Sequence, residues 1–325
     1  MEIYIHFNAI IQKVFTGYSH TFSNKIIKGI LLAIPENQLE VWANPASQAK
    51  FKDAHESIRE TLKKYNWPSG KPTYDVYLQG SYKNSTTTRK NSDVDLVVQL
   101  NSSFDRDLSS LSEYEKILYL MNHSKATYLW EDFRSDILKA LNQKYSKVET
   151  GNNSIKVETP YLSADVVVCM QYRLYKSYRS PQNESYIEGM TFKSQENGWV
   201  VNYPKLHVEN GEQKSEKTNG WYKKTVRMFK NARLYLVEHG LISKDLASSY
   251  FVECLLYNVP NSKFGTNHYT TFYNVLDYLN SAEIGAFKCQ NGIIDIFGNS
   301  PEQWSTRNAR NFIDKTVDLW NNWGR

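Results

Sequence analysis

Cysteine is scarce: Cys169, Cys254 and Cys289 are the three in a chain of 325 residues. They stand far apart, with no C-x-x-C and no Cys/His cluster, which excludes a structural zinc site and a disulfide scaffold and suits a reducing compartment. Long apolar runs are also missing. None reaches about 18 residues, and residues 1–4 do not lead a basic stretch into a hydrophobic one, so neither a membrane-spanning helix nor a signal peptide is expected. Charge of one sign is not gathered anywhere: 39 Lys and Arg face 34 Asp and Glu, a net +5, with the basic residues scattered. A dedicated duplex-binding surface would appear as a basic cluster, so nucleotides are expected as ligands and stable duplex DNA binding is not. With 41% hydrophobic residues, the chain is globular, and its length suits one bilobal unit or two domains.

The chemistry is concentrated in Gln79-Gly80-Ser81-Tyr82, followed by Ser92-Asp93-Val94-Asp95-Leu96-Val97-Val98. Strand side chains alternate faces, so Asp93 and Asp95 point one way while Val94 and Leu96 point into a core. Two like charges on one face demand a cation. In-line attack of a hydroxyl on the α-phosphate of a nucleoside triphosphate needs two metal ions about 4 Å apart, one activating the nucleophile and one neutralising the triphosphate. Mg²⁺ prefers hard oxygen ligands and keeps several waters, with Mn²⁺ able to substitute. Gly80 lets backbone approach the phosphates, and Ser81 offers a hydroxyl and an N–H where a strand turns into a helix. A third carboxylate should come from a neighbouring strand. Asp165 fits, within the apolar, β-branched run Tyr161 to Met170, where an unpaired carboxylate is costly. Its expected role is metal ligand and base for the attacking hydroxyl.

This Gly-Ser, D-x-D and later Asp arrangement resembles the polymerase-β-like nucleotidyltransferases, and the whole chain looks like the bacterial CD-NTases, relatives of animal cyclic GMP-AMP synthase. The likeness continues through Asn197-Gly198-Trp199 to His207, then Thr225 to Asn231, then Ser248-Ser249-Tyr250-Phe251-Val252-Glu253. In that family a helix Lys and a later Ser hold the donor triphosphate, and the following aromatic stacks on the donor base; by motif these fall on Lys230, Ser249 and Tyr250. The residues themselves leave alternatives open. Lys230 lies on an otherwise apolar stripe, where a phosphate would relieve the burial of its charge, but a snorkelling lysine fits too. Tyr250 fits a core position equally well. His207 suits a hydrogen-bonded structural role, since metal-assisted transfer needs no histidine.

The resemblance implies an α/β (α+β) fold: a nucleotidyltransferase lobe with a mixed sheet over residues 1–209, including a spine helix, and an all-helical lobe over 210–325, with the nucleotide cleft between them. Helical spacing of Phe51, Ala54, His55, Ile58 and Leu62 predicts a helix over 44–64. Strands are expected near 73–79, 93–100, 154–158 and 162–173, a helix-rich insert over 112–143, and a hairpin over 186–204. Residues 210–216 are polar and read as a linker, with helices near 217–239, 245–258, 268–280 and 302–322.

The implied function is Mg²⁺-dependent synthesis of a cyclic di- or oligonucleotide from nucleoside triphosphates in anti-phage defence. The enzyme is expected to be a cytoplasmic bacterial monomer, reaching its effector through the product rather than by contact. Activation by DNA is not expected, because the zinc-bound insertion of the animal enzyme is absent. Two rival readings use the same residues: a terminal transferase extending an RNA or tRNA end, which would call for a long basic track, and a silent nucleotide-binding or toxin–antitoxin partner, which would have no use for three clustered Asp.

Overall fold

The structure is a computed structural model that describes residues 33–45, 49–88, 93–300 and 303–325. The expectations for residues 1–4 and for Ser92 lie outside that set. Among the described residues no helix is long and apolar enough to cross a membrane.

Helices α1 (Glu36–Ala43) and α2 (Ala49–Lys64) come first. The predicted 44–64 helix therefore covers α2, with Asn44 capping α1 and residues 46–48 outside the description. Phe51, Ala54, Ile58 and Leu62 form one stripe of α2 and are each at most 1% exposed. Each large side chain so buried contributes about 1.5–3 kcal/mol, enough to fix which face of α2 meets the sheet. His55, beside that stripe, sends Nε2 to the Val76 carbonyl at 3.3 Å.

The sheet follows: β1 (Tyr74–Leu78), the single helical turn α3 (Gly80–Lys83), and β2 (Val94–Asp107). Helices α4 (Glu113–Asn122) and α5 (Trp130–Lys144) form the insert, followed by β3 (Val148–Thr150), β4 (Ile155–Glu158), β5 (Ser163–Ser180), β6 (Asn183–Ser194) and β7 (Gly198–Asn202). Strand β1 pairs antiparallel with β2, which runs parallel to β5. Strands β4 and β6 share the other side of β5, β4 along its start and β6 from Met170 onward; β3 extends β4, and β7 extends β6. The sheet is mixed, as expected, and β2 and β5 run seven residues beyond the predicted ends at 100 and 173.

Helices α6 (Pro204–Lys217), α7 (Trp221–Glu238), α8 (Ser249–Tyr257), α9 (His268–Ser281) and α10 (Thr306–Asn321) make up the remainder. The buried apolar residues fall into two main cores. One joins α2, α5 and the sheet; the other joins α1 to α7, α8, α9 and α10.

Residues 210–216, expected as a polar linker, are instead the body of α6, and a boundary at 209/210 falls inside this helix. The polarity that suggested a linker is used indoors. Gly211 packs so closely on Gln290 that a Cβ there would lie 2.4 Å from its Nε2. Lys214 is buried; Nζ donates to the Val259 carbonyl at 2.8 Å and to Asn261 Oδ1 at 3.1 Å, amid the rings of Tyr222, Tyr257 and Phe264. Pro204 at the first position starts the helix where its missing N–H has no intrahelical partner to lose.

Candidate active site

The site is built on the centre of the sheet. Val94 and Leu96 are fully buried, which turns the intervening Asp95 to the opposite face. Parallel pairing of β2 and β5 sets Asp95 directly beside Asp165. Asp93 lies just before β2, half-exposed, with its carboxylate 4.0 Å from Lys156 Nζ, and Lys156 is the partner of Asp165 across β4. Asp165 Oδ1 accepts a hydrogen bond from Ser154 Oγ at 3.2 Å.

Electrostatics follow from this crowding. Burial, then the carboxylates of Asp165 and Asp93, push Asp95 up to about 6, against a smaller pull from Lys230. Burial raises Asp165 as well, and Asp93 adds to it, while Lys156 and the Ser154 hydroxyl pull it down. Among the described residues no three His, Cys, Asp or Glu side chains already close into a metal cage. The Asp side chains form an open, all-oxygen row under mutual repulsion. That donor set fits hard divalent ions that retain water, and it does not fit zinc.

Gly80 enters the helical turn from β1 with φ +67°, and a Cβ on it would fall 2.1 Å from Asp95 Oδ2. Only glycine allows the backbone and this carboxylate to share the space. The turn is tied to the strand by Gln79 N–H donating to the Asp95 carbonyl at 3.0 Å.

Ser81 opens onto a cavity of about 640 Å³ between the two cores, lined also by Thr86, Lys230, Arg233, Leu234 and Ser249. Three of the expected substrate ligands, Ser81, Lys230 and Ser249, are thus brought together on one cavity, close to the carboxylate row. Ser249 starts α8, immediately after Ser248, whose Oγ caps that helix by accepting from Phe251 N–H at 3.2 Å.

Two of the expected residues have partners that the sequence did not show. Lys230 is 3% exposed and is neither a bare ammonium nor a snorkelling one: Nζ donates to Glu253 Oε2 at 2.6 Å and to Thr86 Oγ1 at 3.0 Å. Tyr250, left open between stacking on a donor base and a core position, is not among the residues lining this cavity. Its ring lies on His207, with centroids 5.2 Å apart and planes 23° from parallel, and it packs against the helical core. His207 has the structural role expected, with Nε2 3.3 Å from Glu253 Oε1. Glu253 is the residue that sequence reasoning missed. The signal was a lone acid in the apolar run Tyr250 to Leu256, which demands a partner.

Carboxylates in register on adjacent strands, a glycine turn against one of them and a cavity shared with the helical core define a nucleotidyltransferase. Comparison with known proteins agrees along the chain. Residues 56–162 match the nucleotidyltransferase domain, and residues 209–321 match the cGAS/DncV-like nucleotidyltransferase C-terminal helical domain. Cyclic UMP-AMP synthase of Rhodothermus marinus is 53% identical over 297 residues, spanning 90% of this chain and 100% of that protein. Cyclic nucleotide synthase CdnE01 of Staphylococcus haemolyticus is 38% identical over 300 residues, again 90% of this chain and 100% of that protein. The solved structure of the R. marinus CdnE c-UMP-AMP synthase with Apcpp and Upnpp superimposes with a TM-score of 0.82, covering 90% of this chain and 98% of that one. The Elizabethkingia meningoseptica CdnE cyclic dinucleotide synthase, with GTP and Apcpp, gives 0.70 at 29% identity over 90% of this chain and 100% of that one. The chain belongs to the CD-NTase family of cyclic nucleotide synthases. That membership favours cyclic oligonucleotide synthesis over both the terminal transferase and the silent partner.

Proposed function

We propose that this enzyme joins one uridine and one adenosine nucleotide into a cyclic dinucleotide, releasing a pyrophosphate at each of two transfers. The observation that carries the reading of the site is the in-register pair Asp95 and Asp165 beside the Gly80 turn. The choice of bases is supported by the 53% identity to a cyclic UMP-AMP synthase.

Asp93, Asp95 and Asp165 would hold two Mg²⁺ ions, with Mn²⁺ able to replace them. When bound, these supply charge neutralisation at the triphosphate and lower the pKa of the attacking hydroxyl. The protein's own residues divide the remaining work. Asp165 orients the acceptor hydroxyl and takes up its proton as the hydroxyl oxygen bonds to the α-phosphorus and the bond from that phosphorus to the bridging oxygen breaks. The Gly80 backbone and the Ser81 hydroxyl receive the triphosphate, and Lys230 and Ser249 hold its outer phosphates from the helical side. The linear product then turns over in the cavity, so that its free hydroxyl attacks its own triphosphate. The enzyme acts as a monomer in the bacterial cytoplasm, and its diffusible product, not a protein contact, switches on the effector in anti-phage defence.

Pairwise incubation with the four nucleoside triphosphates and Mg²⁺, followed by mass spectrometry, tests the assignment. UTP with ATP should give the dominant product, with the mass of a cyclic uridine–adenosine dinucleotide. A dominant product from another pair overturns the base choice, and extension of an added RNA end overturns the reaction class.

A further inference from the structure

Side chains from both cores meet at one carboxylate. Glu253, on α8, is 3% exposed. Its Oε1 accepts from Asn84 Nδ2 at 2.9 Å and faces His207 Nε2 at 3.3 Å; its Oε2 accepts from Thr86 Oγ1 at 3.0 Å and from Lys230 Nζ at 2.6 Å. The Thr86 oxygen, having given its proton to Glu253, accepts from Lys230 at 3.0 Å, which closes a three-membered ring of hydrogen bonds. Asn84 and Thr86 lie directly behind the Ser81 turn: Asn84 N–H donates to the Gly80 carbonyl at 3.2 Å and Thr86 N–H to the Ser81 carbonyl at 2.8 Å.

An anion next to a phosphate-binding cavity should repel its ligand. Here both oxygens are fully committed to donors, so the charge serves its neighbours. Burial would push the Glu253 carboxyl up, but Lys230 and His207 more than offset this and hold it well below the usual carboxylate range. Lys230, in turn, has three N–H donors, of which Glu253 and Thr86 take two. One is left for the cavity that Lys230 lines.

A buried ion pair is a poor source of stability compared with apolar packing, and its better-attested use is to fix geometry. We propose that Glu253 is a positioning residue for nucleotidyl transfer: it locks the Lys230 ammonium of the helical core to the Ser81 turn of the sheet core, so that one triphosphate meets both at a fixed separation. This rests on the reading of Lys230 and Ser81 as phosphate ligands, and the experiment separates the two ideas.

The test is a kinetic cycle of Glu253→Gln, Lys230→Gln and the double variant, with Thr86→Val as a milder probe that removes only the shared hydroxyl. Each is assayed for kcat and KM on nucleoside triphosphate with Mg²⁺, at a temperature where its melting curve confirms a folded protein. Glu253→Gln should raise KM about tenfold or more, as lost supporting contacts do elsewhere. Thr86→Val should raise KM about threefold, the scale of one neutral hydrogen bond, and decides the question if a charged-pair variant does not fold. The double variant should lose no more kcat/KM than Lys230→Gln alone, because Glu253 acts through Lys230. Multiplicative losses in the double variant, or an unchanged KM in Glu253→Gln and Thr86→Val while Lys230→Gln is impaired, overturn the positioning role alone. An unchanged KM in Lys230→Gln overturns the phosphate-ligand reading and the positioning role with it.

Discussion

A Cβ on Gly80 would lie 2.1 Å from Oδ2 of Asp95, so the phosphate-binding turn and the central carboxylate occupy the space of a single methyl group. Gly80→Ala meets two obstacles: the clash, and φ +67°, which costs a residue bearing a Cβ roughly 1–2 kcal/mol. Activity should fall at least about a hundredfold, the order expected when reacting groups are displaced by an ångström. The melting temperature should fall only modestly. An alanine variant with parental kcat/KM would mean that the turn does not set the position of Asp95.

The crowding at Asp95 also makes a prediction about pH. A carboxyl raised to about 6 in the folded protein binds its proton more tightly than in the unfolded chain, so its contribution is complete below about pH 4 and disappears as pH rises through 6. Without metal, this one residue costs the folded protein about 2–3 kcal/mol at neutral pH. Asp95→Asn in EDTA should therefore melt at or above the parent at pH 7.5, the difference shrinking toward pH 4, and should be inactive. A variant that melts well below the parent at pH 7.5 would show that Asp95 is held by an attraction rather than strained by repulsion.

Removing the repulsion with a cation should act in the same direction. Mg²⁺ or Mn²⁺ should raise the melting temperature of the parent and leave an Asp93→Ala/Asp95→Ala variant unmoved; that variant should fold and make no product. Activity should vanish in EDTA, return with either ion and be indifferent to zinc-selective chelation. Duplex DNA should not stimulate it, and strong stimulation would contradict the reading of the surface charge.

How much of this was visible in the chain depended on whether the determining contacts are local. The Asp residues were legible because an acid within an apolar β-branched run has few uses, and the Gly-Ser turn because it follows a strand. Helix α2 was legible through its stripe of buried residues. Helix α6 was not: Asn210 to Glu216 is polar throughout, and only Gln290, Val259 and the rings of Tyr257 and Phe264 beside Lys214, all distant in sequence, make a helix the better solution. Tertiary contacts overrode the local pattern. The partner of Lys230 was hidden for the same reason, since Glu253 lies 23 residues away and its other donors, Asn84 and Thr86, lie 169 and 167 away. Tyr250 was left open between core and base stacking, and its ring contact with His207, a residue 43 positions away, could not be read from spacing.

Lys230→Ala should now do more than weaken substrate binding. It removes a phosphate ligand, with a loss of about 2–3 kcal/mol in kcat/KM, and deprives the buried Glu253 carboxylate of its ammonium partner while Asn84, Thr86 and His207 remain, a destabilisation of up to about 3 kcal/mol. Ser249→Ala, which removes one neutral hydroxyl at the cavity wall, should cost about 1 kcal/mol in kcat/KM and little stability. Calorimetric titration with nucleoside triphosphate, paired with thermal melts, separates the effects. Parental triphosphate affinity in Lys230→Ala would make the lysine purely a partner for Glu253.

The most direct test of the central claim is the fate of radiolabelled phosphate at the α-position. Incubation of the enzyme with α-labelled UTP and ATP in Mg²⁺, followed by phosphatase, should leave a small labelled product that resists the phosphatase because every phosphate lies within a ring. The same reaction with Asp93→Ala/Asp95→Ala should release all label as inorganic phosphate. Label that is fully phosphatase-sensitive with the parent enzyme, or a resistant product that persists in the double variant, would contradict cyclic nucleotide synthesis at these carboxylates.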